Sequence, residues 1–89
     1  MKTKLGKKYM KQYSGEKIKD LRIAKGFTSQ KEFAESIDMA PSQYGKFERG
    51  ENSKRDTMTD LLTHFDMDID HFYTMVCVEV RERLKNNPK

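Results

Sequence analysis

The chain has 89 residues, 35% hydrophobic and 36% charged, with a formal net charge of +4 and one cysteine, Cys77. That length accommodates one compact domain, and a lone cysteine excludes an internal disulfide framework. No stretch approaches the roughly 20 consecutive apolar residues of a membrane span. The basic opening, Met1 to Met10, has no apolar run behind it, so neither a signal peptide nor an anchor is expected, and the expected location is the reducing cytoplasm.

Charge is unevenly spread. Residues 1–13 carry five lysines (Lys2, Lys4, Lys7, Lys8, Lys11) and no acid, residues 14–50 are close to neutral, and residues 51–89 lean acidic. The lysine-rich start reads as a flexible basic arm, of a kind drawn to nucleic-acid phosphates or to anionic surfaces generally.

From Ser14 the pattern turns helical. Ser14 is a candidate N-cap, Glu16 suits the first turn, and Ile18, Leu21 and Ala24 mark an inward stripe that ends at Gly26. Thr28 or Ser29 caps a second helix, with Glu32 at capping-box spacing from Ser29 and with Phe33, Ala34 and Ile37 as its apolar face. After a turn at Asp38-Met39-Ala40, Pro41 suits the first position of a third helix, which carries Tyr44 and Phe47 inward and closes at Gly50. Residues 51–55 form a polar loop. Asp56 or Thr57 opens a fourth helix, with Met58, Leu61, Leu62 and Phe65 spaced i, i+3, i+4, i+7.

Asp68 caps a fifth helix bearing Ile69, Phe72, Tyr73, Val76, Val80 and Leu84 on one side. Residues 73–80 also alternate as a strand does, but the stripe continues at helical spacing, and a lone strand would have no partner. The expected fold is therefore all-α, a compact five-helix domain with an extended C-terminal helix. The expected organisation is an arm over 1–13, a domain over 14–74, and an extension over 75–89. Val76, Val80 and Leu84 project beyond what so small a bundle covers, which makes them the expected interface of a homodimer.

Helices two and three form a helix-turn-helix candidate. Ala34 must be small where the two helices cross, Ile37, Tyr44 and Phe47 set the crossing angle, and the outer side of the third helix offers Ser42, Gln43, Lys46 and Arg49. From about Ile18 to Phe72 the ordered elements Leu21-Arg22, Lys25-Gly26-Phe27, Gln30, Phe33-Ala34, Tyr44-Gly45, Phe47-Glu48-Arg49-Gly50 and Phe65 to Phe72 resemble the lambda repressor/Cro-like (XRE-type) helix-turn-helix DNA-binding family. The resemblance implies a sequence-specific, duplex-DNA-binding transcriptional regulator, a repressor-like homodimer reading a palindromic operator through the major groove. It implies base reading by Pro41, Ser42, Gln43 and Lys46, phosphate contacts from Gln30, Arg49, Asn52, Lys54 and Arg55, and a structural ion pair between Arg22 and Glu48. Departures from the pattern are Asp38 in place of the turn glycine, Ala40 in place of a Ser or Thr cap, Pro41 at a base-reading position, and one extra residue between Gly26 and Gln30. An antitoxin-like module that binds a protein partner on the same scaffold is the alternative.

Other chemistry finds little footing. Asp66-Met-Asp-Ile-Asp70 opens like a calcium loop, but His71 and Cys77 stand where Gly and Glu are required. His64, Asp68 and His71 are separated by a helix break and hold no metal. Cys77 reads as a packing residue. No nucleophilic or phosphate-loop arrangement is present, so neither catalysis nor a cofactor is expected.

Overall fold

The computed structural model describes residues 4–51 and 54–86, with side chains from residue 7 onward. Among these residues lie five helices: α1 (Lys4–Ala24), α2 (Gln30–Ser36), α3 (Pro41–Glu48), α4 (Arg55–Thr63) and α5 (Ile69–Asn86). Helix α1 packs on α3 and α5, α2 on α3, and α4 on α5. The core joins Ile18, Phe33, Ala34, Tyr44, Phe47, Met58, Leu61, Leu62, Ile69, Phe72, Val76 and Val80 with Tyr13 of α1. Phe33 is its centre, with its ring 5.1 Å from those of Tyr44 and Phe65 and 5.3 Å from that of Phe27.

The helix ends follow one scheme. The chain turns out of α1 at Gly26 (φ 103), out of α2 at Asp38 (φ 60), out of α3 at Gly50 (φ 73) and after α4 at Asp66 (φ 53). At each, two backbone N–H groups return to the carbonyls of the last turn. After α2 these are Asp38 N–H to Glu35 C=O at 3.1 Å and Met39 N–H to Ala34 C=O at 2.8 Å, which is the Schellman arrangement. Asp38 thus occupies the left-handed conformation that aspartate tolerates better than most residues. At the helix starts, Ser29 Oγ accepts the Glu32 N–H (3.2 Å) and Asp68 Oδ2 accepts the His71 N–H (3.1 Å).

Ala40 holds the N-cap position of α3 in extended conformation with no side-chain bond to offer. Ala40→Ser is therefore expected to stabilise the domain by about 1 kcal/mol, read as a higher urea midpoint. No change would mean that Pro41, already fixed in φ, holds that turn unaided.

Two sequence expectations are overturned, and by the same contact. The first helix does not begin at Ser14, which is buried in mid-helix; it begins at Lys4, so residues 4–13 are not a flexible arm. Residues 1–3 lie outside the described residues. Tyr9, Met10 and Tyr13 turn inward on this extension while Lys7, Lys8 and Lys11 stay exposed. The expected dimer stripe is what they cover. Val76 (2% exposed) and Val80 (0%) belong to the core, and Leu84 packs against it half-buried. Arg83 lies over the Tyr13 ring, 5.1 Å from its centroid, and Cys77 Sγ sits 3.9 Å from Met10 Sδ. The packed unit therefore crosses both expected boundaries, 13/14 and 74/75.

Candidate nucleic-acid interface

The interface is built on α3. Tyr44, Gly45 and Phe47 are buried, while Pro41, Ser42, Gln43 and Lys46 are exposed. Residues 42, 43 and 46 form one patch because 46 follows them by four and three residues, about one turn. Exposed Arg49 continues that patch past the end of the helix. A short helix with an apolar back and a polar, partly cationic front is what major-groove reading requires.

A buried carboxylate fixes this helix to its neighbours. Glu48 Oε2 accepts from Arg22 Nε at 2.7 Å and from the Tyr44 hydroxyl, and both partners of the Arg22–Glu48 ion pair are only 4% exposed. Glu48 Oε1 accepts from Gln30 Nε2 at 2.8 Å and from Arg22 Nη2 at 3.4 Å, and Arg22 Nη1 donates to the Phe27 carbonyl at 2.8 Å. One cluster thus joins α1, the turn after it, α2 and α3. Gln30 spends one amide hydrogen on Glu48, which leaves the second for an external acceptor from the first turn of α2.

The electrostatics agree with this wiring. Burial alone pushes the Glu48 carboxyl up, but the hydrogen bonds from Arg22, Tyr44 and Gln30 outweigh it and hold the group below its ordinary value of 4.5. Burial, then the bond to Glu48, drives the Tyr44 phenol well above its ordinary range, so it stays a donor. The bond to Glu48 likewise raises the Arg22 guanidinium. A carboxyl whose folded pKa is depressed contributes stability that is fully present above its unfolded pKa and lost as pH falls through the folded one. The thermal midpoint is expected to drop as pH is lowered from 4.5, and Glu48→Gln should flatten part of that fall. An identical acid profile in Glu48→Gln would remove Glu48 as a source of acid sensitivity.

The expected phosphate contacts divide between the start of α2, the end of α3 and the start of α4. Arg49 Nε pairs with Glu51 at 2.8 Å, and Arg55 Nη2 with Asp70 at 2.9 Å, all four side chains being exposed. Lys54 holds the N-cap position of α4. Asn52 lies outside the described residues. Among the described residues no group of three His, Cys, Asp or Glu side chains is placed to hold a metal ion, and no helix is long and apolar enough to cross a membrane.

Sequence reasoning passed over Gly15. A Cβ there would stand 2.1 Å from the Glu48 carbonyl oxygen, so α1 and the end of α3 touch backbone to backbone. The available signal was a glycine inside a helical pattern, which costs about 1 kcal/mol against alanine and usually has a packing reason.

No curated protein and no solved structure matches the chain. Residues 18–72 match the family model described as helix-turn-helix. That segment spans the last third of α1 through the start of α5 and includes the whole Arg22–Glu48 cluster, the α2–α3 turn and the polar front of α3. The chain belongs to the XRE/lambda repressor-like helix-turn-helix family, a family of DNA-binding proteins.

Proposed function

We propose that the chain is a sequence-specific duplex-DNA-binding transcriptional regulator that reads the major groove with α3. The observation that carries this reading is the exposed Ser42-Gln43-Lys46 patch on a helix locked to α1 and α2 through buried Glu48. A reading helix must be held rigidly, because a base contact has a narrow geometric tolerance and is worth only about 1–3 kcal/mol. Gln30 and Arg49, whose side chains both approach Gly45 of α3, together with Lys54 and Arg55 at the start of α4 and with Asn52, are assigned to the sugar–phosphate backbones.

Pairing of two copies on a palindromic operator, as a repressor-like homodimer, belongs to this reading, but it cannot use the buried Val76 and Val80. The outer side of α5 has Val78, at 49% exposure, as its large exposed hydrophobic residue. One such side chain is a small apolar contribution beside the roughly 1,200 Å² that a stable interface buries. In this reading the copies meet on DNA, each on its own half-site.

The test is selection of bound duplexes from a random pool by the purified chain at physiological salt. An inverted repeat with half-sites about one helical turn apart is the expected product. Recovery of sequence-blind binding alone would overturn the reading in favour of a module that binds a protein partner. Within a selected site, Lys46→Ala should lose sequence preference together with affinity, while Lys54→Ala should weaken all duplexes alike. A base-selective loss in Lys54→Ala would contradict the assigned roles.

A further inference from the structure

Lys7, Lys8 and Lys11 stand on the part of α1 that precedes residue 18, where the family match begins, and all three are exposed. The position of Lys11 is fixed by its backbone. A Cβ on Gly50 would lie 2.2 Å from the Lys11 carbonyl oxygen and 3.2 Å from the Lys11 Cβ. One turn further on, Gly15 touches the Glu48 carbonyl in the same way. The side of α1 that carries Gly15 and Lys11 therefore lies along the C-terminal end of α3. Lys7 and Lys8 precede Lys11 by four and three residues, which places them on that same side about one turn, or roughly 5 Å, beyond it. There they continue the line of Gly15 and Lys11 past Gly50, the residue that closes α3.

The charges are placed against the interests of the helix itself. Residues 1–13 contain no acid, and no carboxylate among the described residues pairs with Lys7, Lys8 or Lys11. Like charges a turn apart repel, and cations near a helix N-terminus oppose its dipole. The buried side, with Tyr9, Met10 and Tyr13, holds this extension in place despite them. Arg49 and Arg55, by contrast, already have carboxylate partners. An external polyanion laid across the end of α3 would relieve the lysines' repulsion.

We propose that Lys7, Lys8 and Lys11 form a rigid, helix-borne contact to the phosphate backbone of duplex DNA, extending the footprint beyond the site read by α3. This rests on the reading of α3 given above and adds flanking duplex to its target. Because the lysines ride on a packed helix, the contact is made at a fixed distance from α3 and needs DNA of sufficient length.

The experiment compares the full chain with the triple variant Lys7→Gln, Lys8→Gln, Lys11→Gln on two duplexes, one of 40 base pairs with the selected site at its centre and one trimmed to that site. Affinity is followed by fluorescence anisotropy between 50 and 200 mM salt, with circular dichroism confirming that helix content is kept. On the long duplex the triple variant should reduce the slope of log affinity against log salt by about 2–3, at roughly 0.9 per lost phosphate contact. Base preference should stay unchanged, and the two proteins should converge on the trimmed duplex. Should the triple variant fail to fold, Lys7→Gln, Lys8→Gln leaves the Lys11–Gly50 contact untouched and should reduce the slope by up to about 2. An unchanged slope on the long duplex, with selective binding retained, overturns this proposal alone. Absence of selective duplex binding by the unaltered chain overturns it together with the reading of α3.

Discussion

Glu48→Ala is expected to destabilise the domain by about 3–5 kcal/mol, the range for removing one partner of a buried ion pair. The magnitude follows from what the substitution strands. Arg22, 4% exposed, would keep its bond to the Phe27 carbonyl but lose both contacts to carboxylate. The buried Tyr44 would lose the acceptor of its hydroxyl, and Gln30 would lose the bond that orients its amide. At roughly 4–8 °C per kcal/mol for a domain of this size, thermal unfolding followed by circular dichroism should show a drop of well over 10 °C. A drop under 5 °C would mean that water reaches Arg22 and that the cluster is less closed than its geometry indicates. Replacing both charges with apolar residues of similar volume, Arg22→Met with Glu48→Leu, should recover part of the loss, because no charge is then left buried alone.

The second large effect belongs to Gly15. Alanine is the better helix former by about 1 kcal/mol, so at an open position Gly15→Ala would stabilise α1. Here the added carbon would meet the Glu48 carbonyl oxygen at 2.1 Å, the Glu48 carbonyl carbon at 2.8 Å and the Gly50 nitrogen at 3.1 Å, all backbone atoms. No rotamer change can relieve that; α1 and the end of α3 must separate. A net destabilisation of about 2–3 kcal/mol is expected, as for an overpacked core, measured as a lower urea midpoint. In the proposed reading the separation also moves Arg49 and the lysines of α1 relative to the reading patch, so binding to the selected duplex should weaken further than stability alone explains. A Gly15→Ala chain more stable than the original would refute the close contact.

The sequence made the helix-turn-helix legible because its signals are local. Ser29 three residues before Glu32, Pro41 opening α3, Gly50 closing it and Asp38 in the left-handed turn each declare themselves within a few residues. Inward Phe33, Ala34, Tyr44 and Phe47 follow from periodicity. The bonds around Glu48 are different. Arg22 and Glu48 were paired by resemblance, and Gln30 was assigned to phosphate, but that Gln30 donates to the same carboxylate depends on how three helices cross. The start of α1 was misread because lysine density was taken as a sign of disorder, whereas Lys7, Lys8 and Lys11 stand exposed on a helix whose inner side carries Tyr9, Met10 and Tyr13. The apparent surplus of apolar surface on α5 is the same error seen from the other side. With residues 4–13 set aside as an arm, nothing remained to cover Val76 and Val80.

The arginines beside the reading helix arrive already engaged, Arg49 with Glu51 and Arg55 with Asp70. A phosphate that recruits either one must outcompete an internal anion, so loose encounters along a duplex gain less than two bare arginines would give. At a correctly seated site the exchange is completed and both charges count. Under the proposed function the acidic neighbours act as a threshold: they shorten the time spent on wrong sequences and speed the search, while absolute affinity is lowered.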